Sequence, residues 1–321
     1  MKGVKMYREQ IKVLDCTIRD GGLINNHYFE DNFVREVYKA VSDAGVDYME
    51  IGYRSSTSLL SRDKFGKWKF CVEDDIKRAI DGIPSKTKLS VMADVGRFEK
   101  DDIPPKNQSV VDMVRVAAYV KDIDKAIDLV NDAAEKGYET TVNVMSVSKV
   151  IETELDEALC QLEEESKTKV VYIVDSFGSL YSENIHHLVN KFKRILKTKE
   201  VGIHAHNNQQ LAYANTIESI IKGANYLDAT IYGLGRGAGN CPLELLMGFL
   251  KNPKFNLKPI LEIIAKEFIP LREKMEWGYI IPYAITGMFN EHPRSAIALR
   301  ESPQKDEYVS FYEKMLATEM D

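Results

Sequence analysis

The sequence predicts a (β/α)₈ TIM barrel with an appended C-terminal helical segment. Short runs rich in β-branched and apolar residues recur eight times between residues 12 and 232. Each run is followed by a longer segment in which apolar residues recur at intervals of three and four, as they do in amphipathic helices. The alternating stretch has the length of a one-domain barrel of about 250 residues. A doubly wound open sheet is the alternative, because periodicity alone does not distinguish the two folds.

The strands and helices can be assigned in chain order. The predicted strands are 12–18, 48–53, 88–95, 112–119, 139–147, 169–175, 200–206 and 226–232. The clearest helical stretches between them are 31–45, 122–137, 153–166, 182–197 and 210–224. Gly45, Gly137 and Gly223 stand where a helix C-cap favours glycine. These elements predict a barrel domain over residues 1–254.

Residues 255–321 are predicted to form a C-terminal helical extension or cap. The stretch 257–275 has helical spacing, and an irregular segment with Pro282, Gly287 and Pro293 follows it. A final charged helix ends the chain. No low-complexity linker divides the alternating stretch 12–250 that precedes this extension.

Composition excludes several functional classes. The 43 Lys and Arg against 49 Asp and Glu give a net charge of -6, so no basic footprint for nucleic acid or an anionic membrane is expected. The longest apolar runs fall far short of the roughly 18 residues of a membrane helix. The charged N-terminus lacks the apolar block of a signal peptide, which predicts a cytoplasmic protein. The cysteines are scattered without a CxxC pair, which argues against a disulfide framework and a cysteine zinc site.

The strongest local motif is His204-Ala205-His206 at the end of a predicted strand. Residues i and i+2 of a strand point to the same face, so the two imidazoles should converge. This geometry suits a metal ion, although a hydrogen-bonded pair of core histidines is the alternative. Asp20, at the end of the first strand, could complete a His₂Asp site because only strand eight separates strands one and seven in a closed barrel. Alone, the segment Arg19–Gly22 would be compatible with an ordinary exposed turn.

Two imidazoles and one carboxylate leave coordination positions open and suit Mn²⁺, Mg²⁺, Zn²⁺, Co²⁺ or Fe²⁺. Open positions indicate catalysis rather than a purely structural ion. Glu50 adds a carboxylate on the same rim, or else it forms an ion pair that holds Arg19. The glycine-rich loop 233–240 does not match a nucleotide-binding GxGxxG motif. It is either a flexible turn or a backbone surface that approaches a ligand.

Four motifs together resemble the DRE-TIM metallolyase superfamily, whose members have an HMG-CoA lyase-type catalytic domain. They are LDCTIRDGG at strand one, Glu50 at strand two, GIHAHNN at strand seven and LGRGAGNCPLE after strand eight. The resemblance covers about residues 11–300 and is greatest to 4-hydroxy-2-oxovalerate aldolase-type proteins. It implies that the metal ligands are Asp20, His204, His206 and Asn240. It also implies that Arg19 stabilises an enolate, that Glu50 belongs to the catalytic set, and that Ser176 and His204 lie against the substrate.

The resemblance implies a carbon–carbon lyase, a divalent-metal-dependent aldolase. It would cleave a 4-hydroxy-2-oxo acid to pyruvate and an aldehyde through a metal-stabilised enolate. Mn²⁺ or Mg²⁺ is expected before Zn²⁺ or Co²⁺. The alternatives are a Claisen-type enzyme that condenses an acyl-CoA with a 2-oxo acid, and a metal-binding barrel that acts only as a binding subunit. Some relatives associate with an aldehyde dehydrogenase, but this sequence carries no independent sign of that partner, and its homo-oligomeric state is left open.

The general base departs from the family pattern. The aldolases carry a histidine two residues after the Asp-Gly pair, whereas this chain has Leu23. His27, His292 and Tyr283 are the candidate replacements, and a metal-bound water is a further option. His27 is favoured because it needs only a local chain reversal after strand one, and a histidine pKa near 6.5 suits proton transfer at neutral pH.

Overall fold

Eight parallel strands close into a barrel at the centre of the molecule. The structure, a computed structural model, describes residues 8–320 and the side chains of residues 8–318. The strands are β1 (Lys12–Asp15), β2 (Tyr48–Tyr53), β3 (Lys88–Asp94), β4 (Met113–Ala118), β5 (Glu139–Val144), β6 (Val170–Asp175), β7 (Glu200–Ala205) and β8 (Tyr226–Ala229). Each strand pairs with the next in chain order, and β8 pairs with β1. The predicted barrel is confirmed, and the open sheet is excluded.

Helices follow the strands and cover the sheet. They are α1 (Thr17–Gly21), α2 (Asp31–Asp43), α3 (Glu73–Ile80), α4 (Ile123–Glu135), α5 (Glu152–Glu165), α6 (Ser182–Ile195), α7 (Ala212–Lys222), α8 (Leu243–Leu250), α9 (Lys258–Ile263), α10 (Ile269–Arg272), α11 (Ile281–Met288), α12 (Arg294–Arg300) and α13 (Tyr308–Met320). A π-helical turn, Ile264–Phe268, joins α9 to α10. No helix within residues 8–320 has the length and apolar character to cross a membrane. Residues 1–7, which begin the charged N-terminus, lie outside the described part of the chain.

The C-terminal helices pack in two places. Ile260, Ile263 and Phe268 join the main core of the barrel. Farther along the chain, Tyr283 and residues of α11 to α13 form a smaller apolar cluster with Ala238, which lies in the loop after β8. This cluster holds the C-terminal segment against the loop that follows β8, at the carboxyl end of the strands. The proposed division of the chain after residue 254 stays a prediction.

The first strand is shorter than predicted. Pairing with β8 ends at Asp15, opposite Ala229, and the next residues coil into the one-turn helix α1. The side chain of Asp15 accepts hydrogen bonds from the backbone N–H and the hydroxyl of Thr17. The Thr17 hydroxyl oxygen in turn accepts from the backbone N–H of Ile231, at 2.8 Å. These bonds fix the start of α1 against the end of β8.

Asp15 is fully buried, and burial raises its pKa to about 7. The folded state therefore retains a proton that an unfolded aspartate loses near pH 4. The stability contributed by this retained proton is complete below pH 4 and is lost as the pH rises through about 7. For this group the free energy of unfolding falls by about 1.4 kcal/mol per pH unit between those values.

Asp15→Asn should remove this pH dependence, because asparagine keeps the acceptor oxygen and does not titrate. The free energy of unfolding of the variant, relative to the unsubstituted protein, should rise from pH 5 to pH 7 and level off above pH 8. Urea denaturation at a series of pH values measures this difference. Asp101→Asn, at an exposed position, is the matched control. Parallel stability curves for Asp15→Asn and the unsubstituted protein would contradict the assignment of a neutral Asp15.

Candidate metal centre and active site

The one-turn helix α1 places Arg19 and Asp20 at the carboxyl end of the barrel. Both side chains are buried. Arg19 donates from Nη1 to Asp20 Oδ1 and from Nε to Glu50 Oε2, at 2.6 Å in each case. Burial alone would raise the pKa of Asp20, but Arg19 and the imidazoles of His206 and His204 hold it well below its ordinary value. Asp20 is therefore an ionised carboxylate at neutral pH.

The two histidines of β7 and its end converge on Asp20. His204 and His206 have ring centroids 5.0 Å apart, with the rings nearly perpendicular. One potential ligand atom from each histidine and one from Asp20 lie within 4.8 Å of one another. Burial lowers the pKa of His206 to about 3, so its imidazole is neutral and keeps a lone pair for coordination. The structure thus brings together three of the four residues implied as metal ligands.

A carboxylate behind His204 determines which of its nitrogens faces the site. His204 Nδ1 lies 2.9 Å from Asp228 Oδ2 on β8. Burial would raise the pKa of Asp228, but Arg115 and His204 lower it to about 2, so this carboxylate is ionised and accepts a hydrogen from Nδ1. In a neutral imidazole with its hydrogen on Nδ1, the lone pair lies on Nε2. It is buried and has no hydrogen-bond partner among the described side chains. Metal-binding histidines are commonly oriented by such a carboxylate.

Asn240 brings a further oxygen to the same place. Its Nδ2 donates to Asp20 Oδ2 at 2.6 Å and to the carbonyl of Leu234 at 3.2 Å. Its Oδ1 is buried without a hydrogen-bond partner among the described residues. A Cβ on Gly235 would lie 2.5 Å from Asp20 Oδ2, so only glycine lets this loop approach so closely. The two unpartnered atoms, His204 Nε2 and Asn240 Oδ1, fit a bound cation.

A second group of potential ligands lies deeper in the barrel but already contains a cation. Cys16, His204 and Asp228 have ligand atoms close together. Arg115, which is fully buried, donates from Nη2 to Asp228 Oδ2 at 2.6 Å. Its Nη1 lies 3.6 Å from the Cys16 sulfur. A guanidinium therefore supplies the positive charge at this position, and we assign the candidate metal centre to Asp20, His204 and His206.

Glu50 stands behind Arg19. One carboxylate oxygen, Oε2, accepts from Arg19 and lies 3.1 Å from Arg115 Nη1. Glu50 is fully buried and is absent from the wall of the cavity described below. This placement favours the ion pair that holds Arg19, which was the alternative to direct participation in catalysis.

A cavity of about 260 Å³ opens above these residues. Arg19, Asp20, His204 and His206 form part of its lining, and Ser176 lines it as well. The Ser176 oxygen accepts from the backbone N–H of Ser146 at 2.8 Å, which leaves the hydroxyl hydrogen free to donate. Leu23 lines the same cavity, so an apolar side chain faces the position where the resemblance leads one to expect a base.

His27 does not line this cavity. The chain reverses after α1, with the N–H of His27 donating to the carbonyl of Gly22 at 2.7 Å, as the proposed local reversal requires. The imidazole ring, however, packs against the backbone of Gly22 and edge-on against the ring of Tyr53, with the two ring centroids 5.2 Å apart. Tyr53 lines the cavity, whereas His27 faces a separate surface depression. Burial, together with Lys69 and Arg19, lowers the pKa of His27 to about 3.

The two C-terminal candidates for the general base, Tyr283 and His292, differ in position. Tyr283 packs its ring against Gly237, its carbonyl accepts from Asn208, and burial raises its pKa to about 12. It is absent from the cavity lining, whereas His292 is part of it. His292 Nδ1 accepts from the backbone N–H of Arg294 at 3.2 Å, and burial and nearby arginines lower the pKa of His292 to about 4. A neutral His292 therefore carries its hydrogen on Nε2.

Sequence reasoning missed the buried partners of the site. Arg115 and Asp228 each place a charge within an otherwise apolar strand, and such a charge is rarely buried without a partner. This pattern was the signal from which the buried ion pairs could have been predicted. It also missed Arg236, in the glycine-rich loop, and Arg294, next to His292; both line the cavity.

The comparisons with known proteins agree in fold and in reaction class. The HMGL-like family model matches residues 10–264. A 4-hydroxy-2-oxovalerate aldolase from Thermus thermophilus is 30% identical over 85% of this chain and 81% of its own length. An oxaloacetate decarboxylase from Mycobacterium tuberculosis is 29% identical over 76% of this chain and 71% of its own length.

Solved structures give the same result. The N-terminal domain of an aldolase candidate from Bacteroides vulgatus superposes with a TM-score of 0.77 and 30% identity, covering 91% of this chain and 97% of that chain. An HMG-CoA lyase from Brucella melitensis, at 16% identity and a TM-score of 0.66, covers 83% of this chain and 100% of its own, and shows the shared fold. The curated relatives named above are lyases that break carbon–carbon bonds, and this chain is an enzyme of that class. With the family model covering most of the barrel and the predicted resemblance confirmed, the chain belongs to the HMGL-like family.

Proposed function

We propose that the protein is a divalent-metal-dependent lyase that breaks a carbon–carbon bond of a 2-oxo acid and leaves a pyruvate-type enolate. The observation that carries this proposal is the convergence of Asp20, His204 and His206 beside Arg19 in the lining of one cavity. A negative carboxylate, two imidazoles and a buried guanidinium are suited to hold a chelating oxo acid and to balance charge that develops on its keto oxygen.

The residues present fit a bound cation. Asp20, His204 and His206, with the unpartnered Oδ1 of Asn240, would hold it. When bound, the cation would supply Lewis acidity toward the keto oxygen. The two oxygen donors favour Mn²⁺ or Mg²⁺, and the imidazoles also suit Zn²⁺ or Co²⁺.

Arg19 is proposed to stabilise the enolate oxygen. A guanidinium has five N–H donors, and the carboxylates of Asp20 and Glu50 accept from two of them. The remaining donors can reach a ligand, because Arg19 lines the cavity. Two carboxylates fix the plane of the group before the substrate binds, so little reorganisation is needed as charge develops. The Ser176 hydroxyl is proposed to donate to the substrate carboxylate.

Aldol cleavage of a 4-hydroxy-2-oxo acid is the reaction we propose first. The proton of the C4 hydroxyl is removed, the C3–C4 bond breaks, and its electron pair passes to C3 and the keto oxygen as the enolate. The C4 oxygen becomes the carbonyl of the departing aldehyde. Protonation at C3 then gives pyruvate. Of the three residues expected to replace the missing base, only His292 lines the cavity, and we propose that it contacts the C4 oxygen.

Decarboxylation of a 2-oxo dicarboxylic acid is the second candidate. With Nδ1 accepting from Arg294, His292 presents a hydrogen on Nε2, and it must change tautomer before it can accept a proton. Loss of carbon dioxide from C3 needs no proton acceptor. It breaks a carbon–carbon bond and produces the same enolate. Leu23 lines the cavity and cannot accept a proton, and this also favours a reaction that needs no proton acceptor.

Exchange of the pyruvate methyl hydrogens tests the step that both reactions share. The protein, loaded with Mn²⁺ or Mg²⁺, is incubated with pyruvate in D₂O, and loss of the methyl proton signal is followed by NMR. Exchange is expected. A panel of 4-hydroxy-2-oxo acids, oxaloacetate, and pyruvate with acetyl-CoA then separates aldol cleavage, decarboxylation and Claisen condensation. Tight metal binding with neither exchange nor turnover would contradict the proposal and favour a binding subunit.

His204→Ala should lower metal content and exchange activity together, because it removes one ligand of the proposed site. Asp228→Asn should weaken metal affinity by roughly 10- to 100-fold, because the carboxylate that orients His204 is lost. Metal per protein after dialysis, measured by elemental analysis, gives the outcome independently of activity. His187→Ala, which removes an exposed imidazole on α6, is the control. Unchanged metal content in His204→Ala would place the ion elsewhere.

Arg19→Lys should reduce kcat by roughly 10²-fold or more, because lysine keeps the charge but loses the planar fork. The same change leaves Asp20 and Glu50 incompletely paired in a buried place, so the melting temperature should also fall. Steady-state kinetics at temperatures well below the new melting point separate the two effects. An active, fully folded lysine variant would show that Arg19 acts only as an ion-pair partner.

His292→Ala should slow aldol cleavage more than pyruvate exchange, because the C4 oxygen is absent from pyruvate. His27→Ala should leave the ratio of these two rates unchanged, because His27 lies behind Tyr53. The two rates are measured on each variant under the same conditions. The reverse pattern, with cleavage lost selectively in His27→Ala, would restore His27 as the base.

A further inference from the structure

The mouth of the cavity is more basic than the reaction requires. The charged residues that line the cavity are Arg19, Arg97, Arg236, Arg294, Asp20 and Asp94. Arg19 is paired with Asp20, and Arg97 lies 3.5 Å from Asp94. Arg236 and Arg294 remain, and neither guanidinium has an ion-pair or hydrogen-bond partner among the side chains of residues 8–318.

The two arginines differ in burial. Arg294 is exposed, and water can satisfy it. Arg236 is only partly exposed, and its Nε is buried with no hydrogen-bond partner in the described chain. A buried charged donor without a partner is costly, and such a cost is commonly accepted where a ligand supplies the acceptor.

The backbone holds Arg236 in a defined place. On one side, Gly235 lies against Asp20 and Asn240 so closely that a side chain would collide with them. On the other side, Gly237 has a φ of +64° and packs against the ring of Tyr283. The glycine-rich loop is therefore held between Asp20 and Asn240 on one side and Tyr283 on the other. Arg236 is not on a freely moving turn.

The C-terminal segment brings Arg294 to the same end of the cavity. Arg294 begins α12, and its backbone N–H donates to His292 Nδ1. His292 lies within the influence of both guanidinium groups, which together with burial lower its pKa to about 4. The neutral imidazole then carries a hydrogen on Nε2. Two guanidinium groups and an imidazole N–H thus line the same cavity as the proposed metal ligands, and both guanidinium groups lie close enough to His292 to affect its charge.

We infer that Arg236 and Arg294 recognise a second anionic group, a carboxylate or a phosphate, at the end of the substrate distal to the 2-oxo acid. This inference rests on the proposed function, because it takes the floor of the cavity as the site of the oxo acid. The volume of about 260 Å³ suits a small substrate with an anion at each end, not a whole coenzyme. Paired guanidinium forks suit oxyanions of either kind.

Matched 2-oxo acids test this inference by direct binding. The probes are 2-oxopentanoate, with a neutral distal end, and two analogues of similar length, 2-oxoglutarate with a carboxylate and 2-oxo-4-phosphonobutanoate with a phosphonate. Isothermal titration calorimetry on the metal-loaded protein gives Kd for each. At least one anionic probe should bind about 10-fold more tightly than 2-oxopentanoate, or better. The tighter of the two identifies the distal group as carboxylate or phosphate.

The preference should depend on the two arginines. In the double variant Arg236→Gln/Arg294→Gln the ratio of Kd values should fall toward one. Arg97→Gln removes a cavity-lining arginine that already has a carboxylate neighbour, and it should keep the ratio. No anionic preference in the unsubstituted protein, or a preference that survives the double substitution, would overturn the inference.

Pyruvate exchange in D₂O separates this inference from the proposed function. Exchange without an anionic preference would leave the lyase proposal standing and remove the distal anion site. An arginine-dependent preference without exchange would keep the anion site and contradict the proposed chemistry.

Discussion

The geometry of the candidate site depends on a chain of alternating charges buried inside the barrel. In order, its members are Asp20, Arg19, Glu50, Arg115, Asp228 and His204. It begins and ends on proposed metal ligands and crosses the barrel through β2, β4 and β8. Three carboxylates oppose two guanidinium groups, so the carboxylates outnumber the guanidinium groups by one. A cation between Asp20 and His204 would reverse that imbalance at the point where an anionic substrate is proposed to bind.

Because these charged groups are buried, each of the ion pairs depends on the others. Each ion loses several kcal/mol of hydration on entering the interior, and only well-placed partners offset that loss. Removing one member would leave its neighbours as uncompensated charges, so every member fixes the next. The Asp15 carboxyl shows the limit of this arrangement. It lies near Glu50 without a cationic partner among the described side chains, and burial raises its pKa to about 7. At this position the interior therefore favours the protonated form of a further carboxyl.

The sequence predicted what depends on short-range order. Alternating strand and helix patterns gave the barrel, and the spacing of His204 and His206 gave two proposed ligands on one face. Barrel closure brought Asp20 to them. The ion pair of Glu50 with Arg19 had been one of two alternatives. The sequence could not predict the path of the loops or the ion pairs between strands that are distant in the chain. His27 has a φ of +65°, which turns its ring behind Tyr53 rather than over the cavity. Arg115 meets Asp228 across 113 residues of chain, and no local pattern records that contact.

The two ends of the cavity are built from different parts of the chain, and this difference bears on how a single fold serves several reactions. The floor consists of strand ends and a one-turn helix held by buried ion pairs, so its geometry is fixed before a substrate arrives. The mouth is formed by the glycine-rich loop and by the C-terminal segment, which meet through the small cluster around Tyr283 and Ala238. Changes at the mouth can alter which substrate fits without disturbing the buried charges below. In the proposed chemistry the floor stabilises an enolate whichever carbon–carbon bond is broken. Relatives with different names, an aldolase and a decarboxylase, are about equally similar to this chain. If the proposed chemistry holds, the choice of bond is made above the floor, where Leu23, His292 and Arg236 line the cavity.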